Sequence, residues 1–389
     1  MRLLFLLTYY HPHWTGLTAY ARRIAEGLAA RGHEVSVLTT CHDPQLASEE
    51  TVNGVRVHRV NATLTVSRSA IALGFLPRLA RMVGSIDGVS IHIPFPEVLP
   101  ATAIARLRGA AVFLTHNGDL VLPAGPHKAP LEWLYRTTTY LAGRLANGVI
   151  AQTEDYSRSS AMLMRLQSKL QFIYAPVDLP PSDPARVRAW RSRLGLDGKT
   201  LIGFAGRFVE EKGFDFLLAA VPQIVRELPE AHFVFAGEHH IPYERFYEAH
   251  RGELERHRDH FTMLGLIRDP QEMADFYGMI DVFALPSRSD CFPSTQIEAV
   301  RAGTPLVTAD IPGAREIVRV TGMGELVQAR DPEALARGIV SVARNRDRYR
   351  QRHAFAFDLF DPGKTFAAYE SLFERAVYAG AQRQVAVRS

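Results

Sequence analysis

The chain has 389 residues, of which 47% are hydrophobic and 22% charged, and its formal net charge is +4. This length favours two domains, and the composition is typical of a soluble globular protein. The small positive charge does not support a nucleic-acid partner, and two cysteines, Cys41 and Cys291, cannot build a disulfide framework. We therefore expect a cytoplasmic protein that binds no nucleic acid.

The first half of the sequence alternates short apolar runs with helical patterns. The apolar start predicts a buried strand rather than a signal peptide, because it lacks a small-residue cleavage site. A helix is predicted over Thr18–Arg31 with Gly32 as its C-cap, and Asn53-Gly54 predicts a β-hairpin. Such alternation indicates βαβ units and a parallel sheet. The main strands predicted in this half cover residues 2–8, 35–38, 111–115 and 149–152.

The alternation stops at residues 175–184, which contain four prolines and no periodicity, and then resumes. This segment reads as a linker, so we predict two Rossmann-like α/β domains, 1–178 and 179–363, with parallel sheets that face a cleft. A final amphipathic helix is predicted over Lys364–Ala379. In the second half we predict strands at 201–205, 232–236, 261–264 and 282–285, and helices at 213–228, 243–257 and 270–277.

Two cations lie on the loop that follows the first strand of the second half. Arg207 comes directly after Gly206, and Lys212 precedes Gly213. Arginine can bind a diphosphate bidentately, and lysine acts as a movable point charge. A solvated basic turn is the alternative interpretation.

Two acids are separated by seven residues in the segment Leu285–Ala309. Asp290 comes just before a helix predicted to begin near Ser294, and Glu298 lies in its second turn. A helix start attracts anions, and carboxylates accept hydrogen bonds from sugar hydroxyls. The alternative is a capped amphipathic helix with incidental acids.

The two acids, the upstream Gly-Arg and Lys-Gly pairs, and the run Phe292-Pro293-Ser294 together resemble a known family. They are similar to the retaining glycosyltransferases of the GT-B fold, the family-four group that uses nucleotide-sugar donors. That group usually has Glu at both acid positions, whereas Asp290 occupies the first one here. The resemblance covers about residues 2–375. It implies a GT-B fold whose last helix, residues 364–389, crosses back to the first domain.

The resemblance implies the following site. The catalytic groups would be Arg207 and Lys212, which stabilise the leaving diphosphate, Asp290, which orients the sugar, and His116, which contacts the sugar or leaving group. Glu298 would accept hydrogen bonds from the ribose hydroxyls. The other donor-binding positions would be Gly16, Gly206, the nucleobase turn with Gly265, Ile267 and Arg268, and the loop residues Cys291, Phe292, Pro293 and Ser294.

The sequence also indicates what the reaction would need. No D-x-D triplet occurs, so we expect no metal and no cofactor beyond the nucleotide-sugar substrate. The acceptor is expected to be a glycan, a lipid-linked molecule or a small molecule, in polysaccharide or glycolipid synthesis. The aromatic segment Leu131–Leu141 fits either peripheral membrane contact, at the inner face of the membrane, or a buried helix. A non-catalytic nucleotide-sugar-binding subunit is the alternative function.

Overall fold

A computed structural model describes residues 1–66, 69–120, 122, 128–239, 241 and 244–388. The chain divides into two compact units. Unit 1 comprises Met1–Pro176 together with Pro362–Ser389, and unit 2 comprises Val177–Asp361. Among the helices within these ranges, none has both the length and the apolar character that a membrane crossing requires.

Unit 1 contains an eight-stranded sheet in the order β10-β9-β8-β7-β1-β2-β4-β3, parallel except for the β3–β4 hairpin at its edge. The hairpin turns at Asn53 (φ 48°) and Gly54 (φ 81°), as the sequence predicts. A small antiparallel pair, β5–β6, stands apart. The strands are β1 (Arg2–Leu7), β2 (Glu34–Cys41), β3 (Glu49–Val52), β4 (Val55–Asn61), β5 (Leu64–Val66), β6 (Ser69–Ile71), β7 (Gly88–Ile93), β8 (Ala111–His116), β9 (Gly148–Ala151) and β10 (Leu170–Phe172).

The helices of unit 1 cover a sheet whose central strands are almost wholly buried. Leu3 to Leu7 of β1 are all buried, as continuous apolar runs in parallel sheets are. The first helix begins at Gly16, capped by the Thr15 side chain, and Gly32 (φ 92°) follows its end. The helices are α1 (Gly16–Ala30), α2 (Phe75–Met82), α3 (Val98–Leu107), α4 (Lys128–Leu145) and α5 (Glu154–Ser157).

Unit 2 contains a six-stranded sheet that is parallel throughout, in the order β13-β12-β11-β14-β15-β16. Its strands are β11 (Thr200–Ala205), β12 (Ala231–Ala236), β13 (Phe261–Gly265), β14 (Val282–Leu285), β15 (Leu306–Ala309) and β16 (Gly324–Val327). Its helices are α6 (Pro184–Arg193), α7 (Phe214–Glu227), α8 (Phe246–Arg256), α9 (Pro270–Met279), α10 (Ser294–Arg301), α11 (Glu316–Thr321), α12 (Pro332–Arg344), α13 (Arg346–Arg350) and α14 (His353–Leu359). The predicted helix over 243–257 corresponds to α8, and its first predicted residue, Tyr243, lies outside the described residues.

The last helix, α15 (Pro362–Arg388), belongs to unit 1 and is longer than the predicted Lys364–Ala379. The hydroxyls of Tyr369 and Tyr20 lie 2.7 Å apart, which links α15 to α1 in the core. The prediction ended early because Gly380 breaks the apolar pattern, although a single glycine does not stop a helix.

Candidate active site

The candidate site of unit 2 lies where the strand order reverses. Strands β12 and β13 follow β11 on one side of it, and β14 then pairs with β11 on its other side. The loops that leave β11 and β14 therefore start side by side at the carboxyl edge of the sheet, where open parallel sheets bind their ligands. The first loop carries Gly206, Arg207 and Lys212, and the second carries Asp290.

Lys212 and Asp290 are in direct contact. The ammonium Nζ donates to Oδ2 of Asp290 at 2.5 Å, and the two side chains are only 19% and 8% exposed. Burial by itself would lower the pKa of Lys212, but the charges of Asp290 and Glu211 outweigh it, so the pKa is raised. Lys212 therefore remains a cation at neutral pH. The structure brings together two predicted residues that are 78 positions apart in the sequence.

The two loops are also joined through their backbones. A Cβ on Gly213 would lie 2.0 Å from the carbonyl oxygen of Pro286, and Gly213 is left-handed (φ 70°), so only glycine fits there. Arg288 donates its backbone N–H to the Glu211 carbonyl at 2.7 Å and its Nη1 to the Glu210 carbonyl at 2.7 Å. The turn that ends at Lys212 is therefore held on both sides.

The guanidinium of Arg288 is engaged inside the protein. Nη1 and Nη2 donate to the two carboxylate oxygens of Asp215 at 2.7 and 2.5 Å, and the group lies 4.0 Å from the ring centroid of Phe216. The bidentate geometry and the stacked ring fix its position. Arg288 thus holds the loop that carries Arg207 and Lys212 in place, and it is a positioning residue for Lys212.

The loop that follows Asp290 is packed closely against the Gly313 backbone. Asp290 and Gly313 form a parallel bridge, and a Cβ on Gly313 would lie 2.2 Å from the carbonyl oxygen of Cys291. Burial and the Asp290 charge raise the pKa of Cys291 to about 12, so the thiol stays protonated. The Phe292 side chain is buried, with its ring centroid 6.3 Å from that of Phe360. A donor could therefore contact Phe292 only through its main chain.

Helix α10 places Glu298 and a helix start on the same short element. Pro293 precedes the helix and Ser294 is its first residue, so the backbone N–H groups of the first turn begin there. Oε2 of Glu298 accepts a hydrogen bond from the buried Tyr277 hydroxyl at 3.0 Å. Tyr277 therefore orients the carboxylate that the sequence assigns to the ribose.

Three glycines with positive φ end three neighbouring strands. Gly206 (φ 150°), Gly237 (φ 150°) and Gly265 (φ 74°) follow or end β11, β12 and β13. Gly206 donates to the Ala236 carbonyl at 2.9 Å, and Gly237 donates to the Gly265 carbonyl at 2.8 Å. These positions form a row without side chains. The predicted nucleobase residues, Ile267 and the exposed Arg268, follow Gly265 in the loop after β13.

The predicted residues of unit 1 occupy the carboxyl edge of its own sheet. Gly16 is the first residue of α1, and a Cβ there would meet no described atom within 4 Å. His116 ends β8 and is buried, with Nε2 3.2 Å from Oδ1 of Asp119. Ser160 donates to the same oxygen at 2.9 Å. Burial works to raise the pKa of Asp119, but the hydrogen bonds from His116, Ser160 and Tyr156 lower it overall.

Comparison with known proteins agrees with this architecture. Residues 187–356 match the model of the "Glycosyl transferases group 1" family, and residues 15–161 match that of the "Glycosyl transferase 4-like domain". The D-inositol 3-phosphate glycosyltransferase of Segniliparus rotundus is 32% identical over 375 residues, which cover 86% of this chain and 78% of that protein. The chain belongs to the family-four glycosyltransferases of the GT-B fold.

Other relatives of this glycosyltransferase span nearly its whole length. The phosphatidyl-myo-inositol mannosyltransferase of Mycobacterium tuberculosis is 25% identical over 394 residues, covering 95% of this chain and 96% of that protein. The solved structure of HepE from Anabaena in complex with UDP and glucose shares the fold, with a TM-score of 0.77 and 18% identity. The matched region covers 96% of this chain and 100% of the HepE chain.

Several residues of this candidate site were not predicted from the sequence. Gly237 follows a predicted strand just as Gly206 follows one, so the repeated strand–glycine pattern could have revealed it. Tyr277, Arg288 and Asp215 carry no such signal, because each acts through a partner that is distant in the sequence.

Proposed function

We propose that this glycosyltransferase moves a sugar from a nucleoside-diphosphate sugar to an acceptor hydroxyl, with retention of configuration and without a metal ion. The observation that carries the proposal is the buried Lys212–Asp290 pair at the switch point of the unit 2 sheet. It sets a permanent cation beside a carboxylate at the edge where a donor would bind. The HepE structures hold UDP or UDP-glucose, so we propose UDP-hexoses as the first donors to test.

The charges suit the departure of a diphosphate. In the proposed step the bond between the sugar C1 and the diphosphate oxygen breaks, and the acceptor oxygen forms a bond to C1 on the same face. The acceptor proton passes to the departing phosphate oxygen, so atoms and charge balance. Lys212 and Arg207 stabilise the negative charge that develops on the diphosphate. Asp290 orients the sugar, and Glu298, held by Tyr277, accepts from the ribose hydroxyls.

His116 is proposed to contact the sugar or the leaving group from unit 1. Its ring is fixed by the hydrogen bond to Asp119, so its orientation is set before any ligand binds. Gly16 leaves open space at the start of α1, which suits the close approach of a donor phosphate or an acceptor.

Relatives suggest the class of acceptor. The M. tuberculosis relative is a phosphatidyl-myo-inositol mannosyltransferase, and the S. rotundus relative is a D-inositol 3-phosphate glycosyltransferase. We therefore propose a polyol or lipid-linked acceptor in glycolipid or polysaccharide synthesis, used in the cytoplasm or at the inner face of the membrane.

The test is a panel of UDP-, GDP- and ADP-sugars with inositol, inositol phosphate and phosphatidylinositol, read by released nucleoside diphosphate and by the anomeric proton of the product. Turnover that Lys212→Ala abolishes and Lys199→Ala leaves intact supports the proposal, since Lys199 is an exposed lysine away from both loops. Inversion at C1, or turnover that requires a divalent ion after EDTA treatment, would overturn the corresponding part.

A further inference from the structure

A polar cleft opens at the amino edge of the unit 2 sheet, at the end opposite the candidate active site. Thr200, the first residue of β11, and Asp281, which precedes β14, both line it. Its volume of about 540 Å³ falls within the range of about 300–1,000 Å³ that is usual for small-ligand sites. Because β11 has six residues, this edge lies about 20 Å from the loops that carry Lys212 and Asp290. We call it the amino-edge cleft.

Three arginines line the amino-edge cleft, Arg191 from α6 and Arg346 and Arg350 from α13. Arg346 and Arg350 are four residues apart, so they lie on the same side of their helix. Nη1 of Arg346 donates to Oδ1 of Asp281 at 2.5 Å, and Nη1 of Arg191 lies 3.9 Å from Oδ2 of the same carboxylate. Within the described residues, the exposed Arg350 has no ion pair. Two of the arginines therefore share one negative charge, and the third has no acid partner.

The fold holds these groups in place before any ligand binds. Asp281 is only 6% exposed, and its Oδ2 accepts a hydrogen bond from the backbone N–H of Leu201 at 2.9 Å. Nη1 of Arg191 donates to the Met279 carbonyl at 3.0 Å. Nε and Nη2 of Arg346 have no partner in the part of the chain that the structure describes. Fixed guanidinium groups with unused N–H donors suit a phosphate, which they bind bidentately.

The other groups of the cleft indicate what the phosphate would be attached to. Glu230 lines the same cleft, and its Oε1 accepts a hydrogen bond from the Thr200 hydroxyl at 3.3 Å. A carboxylate repels a bare anion but accepts hydrogen bonds from hydroxyl groups. Among the described residues no aromatic side chain lines the cleft, so a nucleobase would have no ring on which to stack. The cleft therefore suits a phosphate ester of a small polyol better than a nucleotide or free phosphate.

We propose that the amino-edge cleft is an effector site that binds a small phosphorylated polyol. Its wall includes Gly278 and Met279 at the end of α9, directly after Tyr277, whose hydroxyl orients Glu298. A ligand bound to Arg191 would hold the Met279 carbonyl, and with it the end of α9. Tyr277 would then orient Glu298 before the donor arrives, so the donor KM should fall. Binding in the cleft does not rest on the proposed reaction, whereas its effect on the donor does.

The test of binding is calorimetric titration of the full chain with glycerol 2-phosphate, inorganic phosphate and glycerol. Wild type should bind glycerol 2-phosphate about 10-fold more tightly than inorganic phosphate, because its hydroxyls donate to Glu230, and glycerol should not bind. Arg346→Gln/Arg350→Gln should weaken the binding of both phosphates about 25-fold, at about fivefold for each cation. Arg350→Gln alone, at an exposed position, should weaken it about fivefold. Glu230→Ala should tighten the binding of inorganic phosphate and remove the preference for the ester.

Controls separate the cleft from other cations. Arg251→Gln/Arg256→Gln removes two exposed arginines of α8 and should leave binding as in wild type. Lys212→Ala should also retain binding, because Lys212 belongs to the donor loops and not to the cleft. Absence of binding, loss of binding in Lys212→Ala, or equal affinity of Arg350→Gln and wild type would overturn the site.

The effect on the donor is measured separately from binding. In wild type, saturating glycerol 2-phosphate should lower the donor KM about fivefold or more, and Arg346→Gln/Arg350→Gln should require a higher concentration for the same effect. A donor KM that stays unchanged while calorimetry shows a saturated cleft would overturn the effector role. Because calorimetry needs no turnover, failure of the proposed reaction would leave the binding result intact.

Discussion

Removal of the Lys212 charge should separate catalysis from stability. Lys212→Met keeps the aliphatic stem but leaves the Asp290 carboxylate, 8% exposed, without its partner at 2.5 Å. Loss of one member of a buried pair costs about 3 kcal/mol, which corresponds to a fall in Tm of about 6–12 °C in a unit of this size. The turnover number should fall by about 100-fold or more, because the charge on the leaving diphosphate is no longer offset.

A double-mutant cycle isolates the two effects. Lys212→Met/Asp290→Asn removes both charges, so most of the lost stability should return while activity stays low. Calorimetry gives Tm, and nucleoside-diphosphate release gives the turnover number, with Lys199→Met as the control. A Lys212→Met enzyme with nearly normal turnover would refute the catalytic role, and a double variant as unstable as the single one would refute the pairing.

Four further outcomes are expected. Tyr277→Phe should raise KM for the donor about 10-fold with little change in kcat, because Glu298 loses a hydrogen bond to a charged group; an unchanged donor KM would remove Glu298 from the ribose site. Gly16→Ala should leave the protein as stable as wild type or up to about 1 kcal/mol more stable by calorimetry, yet raise KM; equal KM would show that nothing approaches Gly16. Arg288→Gln removes the bidentate ion pair to Asp215, so kcat should fall about 10-fold while KM changes little. A change in Tm without a change in kcat would make the role of Arg288 purely structural. EDTA should leave the initial rate unchanged, and a loss restored by Mg²⁺ would contradict a metal-free step.

The sequence predicts the elements well because their signals are local. Apolar runs mark the strands, and glycines such as Gly32 and Gly213 mark the places where the chain takes a left-handed conformation. The sequence also predicts that the loops carrying Lys212 and Asp290 lie at the same edge of the sheet. Each loop comes after a predicted strand, and parallel strands bring their carboxyl ends to one edge.

The supporting contacts of the site could not be predicted in this way. Tyr277 lies on α9 and reads as an ordinary core aromatic, and only the packing of α9 against α10 brings its hydroxyl to Glu298. Arg288 lies on the loop before Asp290, and only the fold pairs its guanidinium with Asp215. Phe292 belongs to the signature loop, but its side chain turns into the core. Each of these contacts depends on residues that are distant in the sequence, so no pattern within one segment can predict it.

The sequence also left open whether α4 is exposed or buried. Its leucine spacing predicts a helix with an apolar side, and a buried helix has the same pattern. Only the folded chain shows that Ala142 and Gly143 face the core while Leu134 and Leu141 remain in solvent.

The most direct measurement is a crystal structure of the protein with UDP. We expect the diphosphate at the carboxyl edge between β11 and β14, within hydrogen-bonding distance of Lys212 Nζ and next to the first turn of α10. The ribose hydroxyls should donate to Glu298. A diphosphate bound away from Lys212, or a ribose without contact to Glu298, would contradict this expectation.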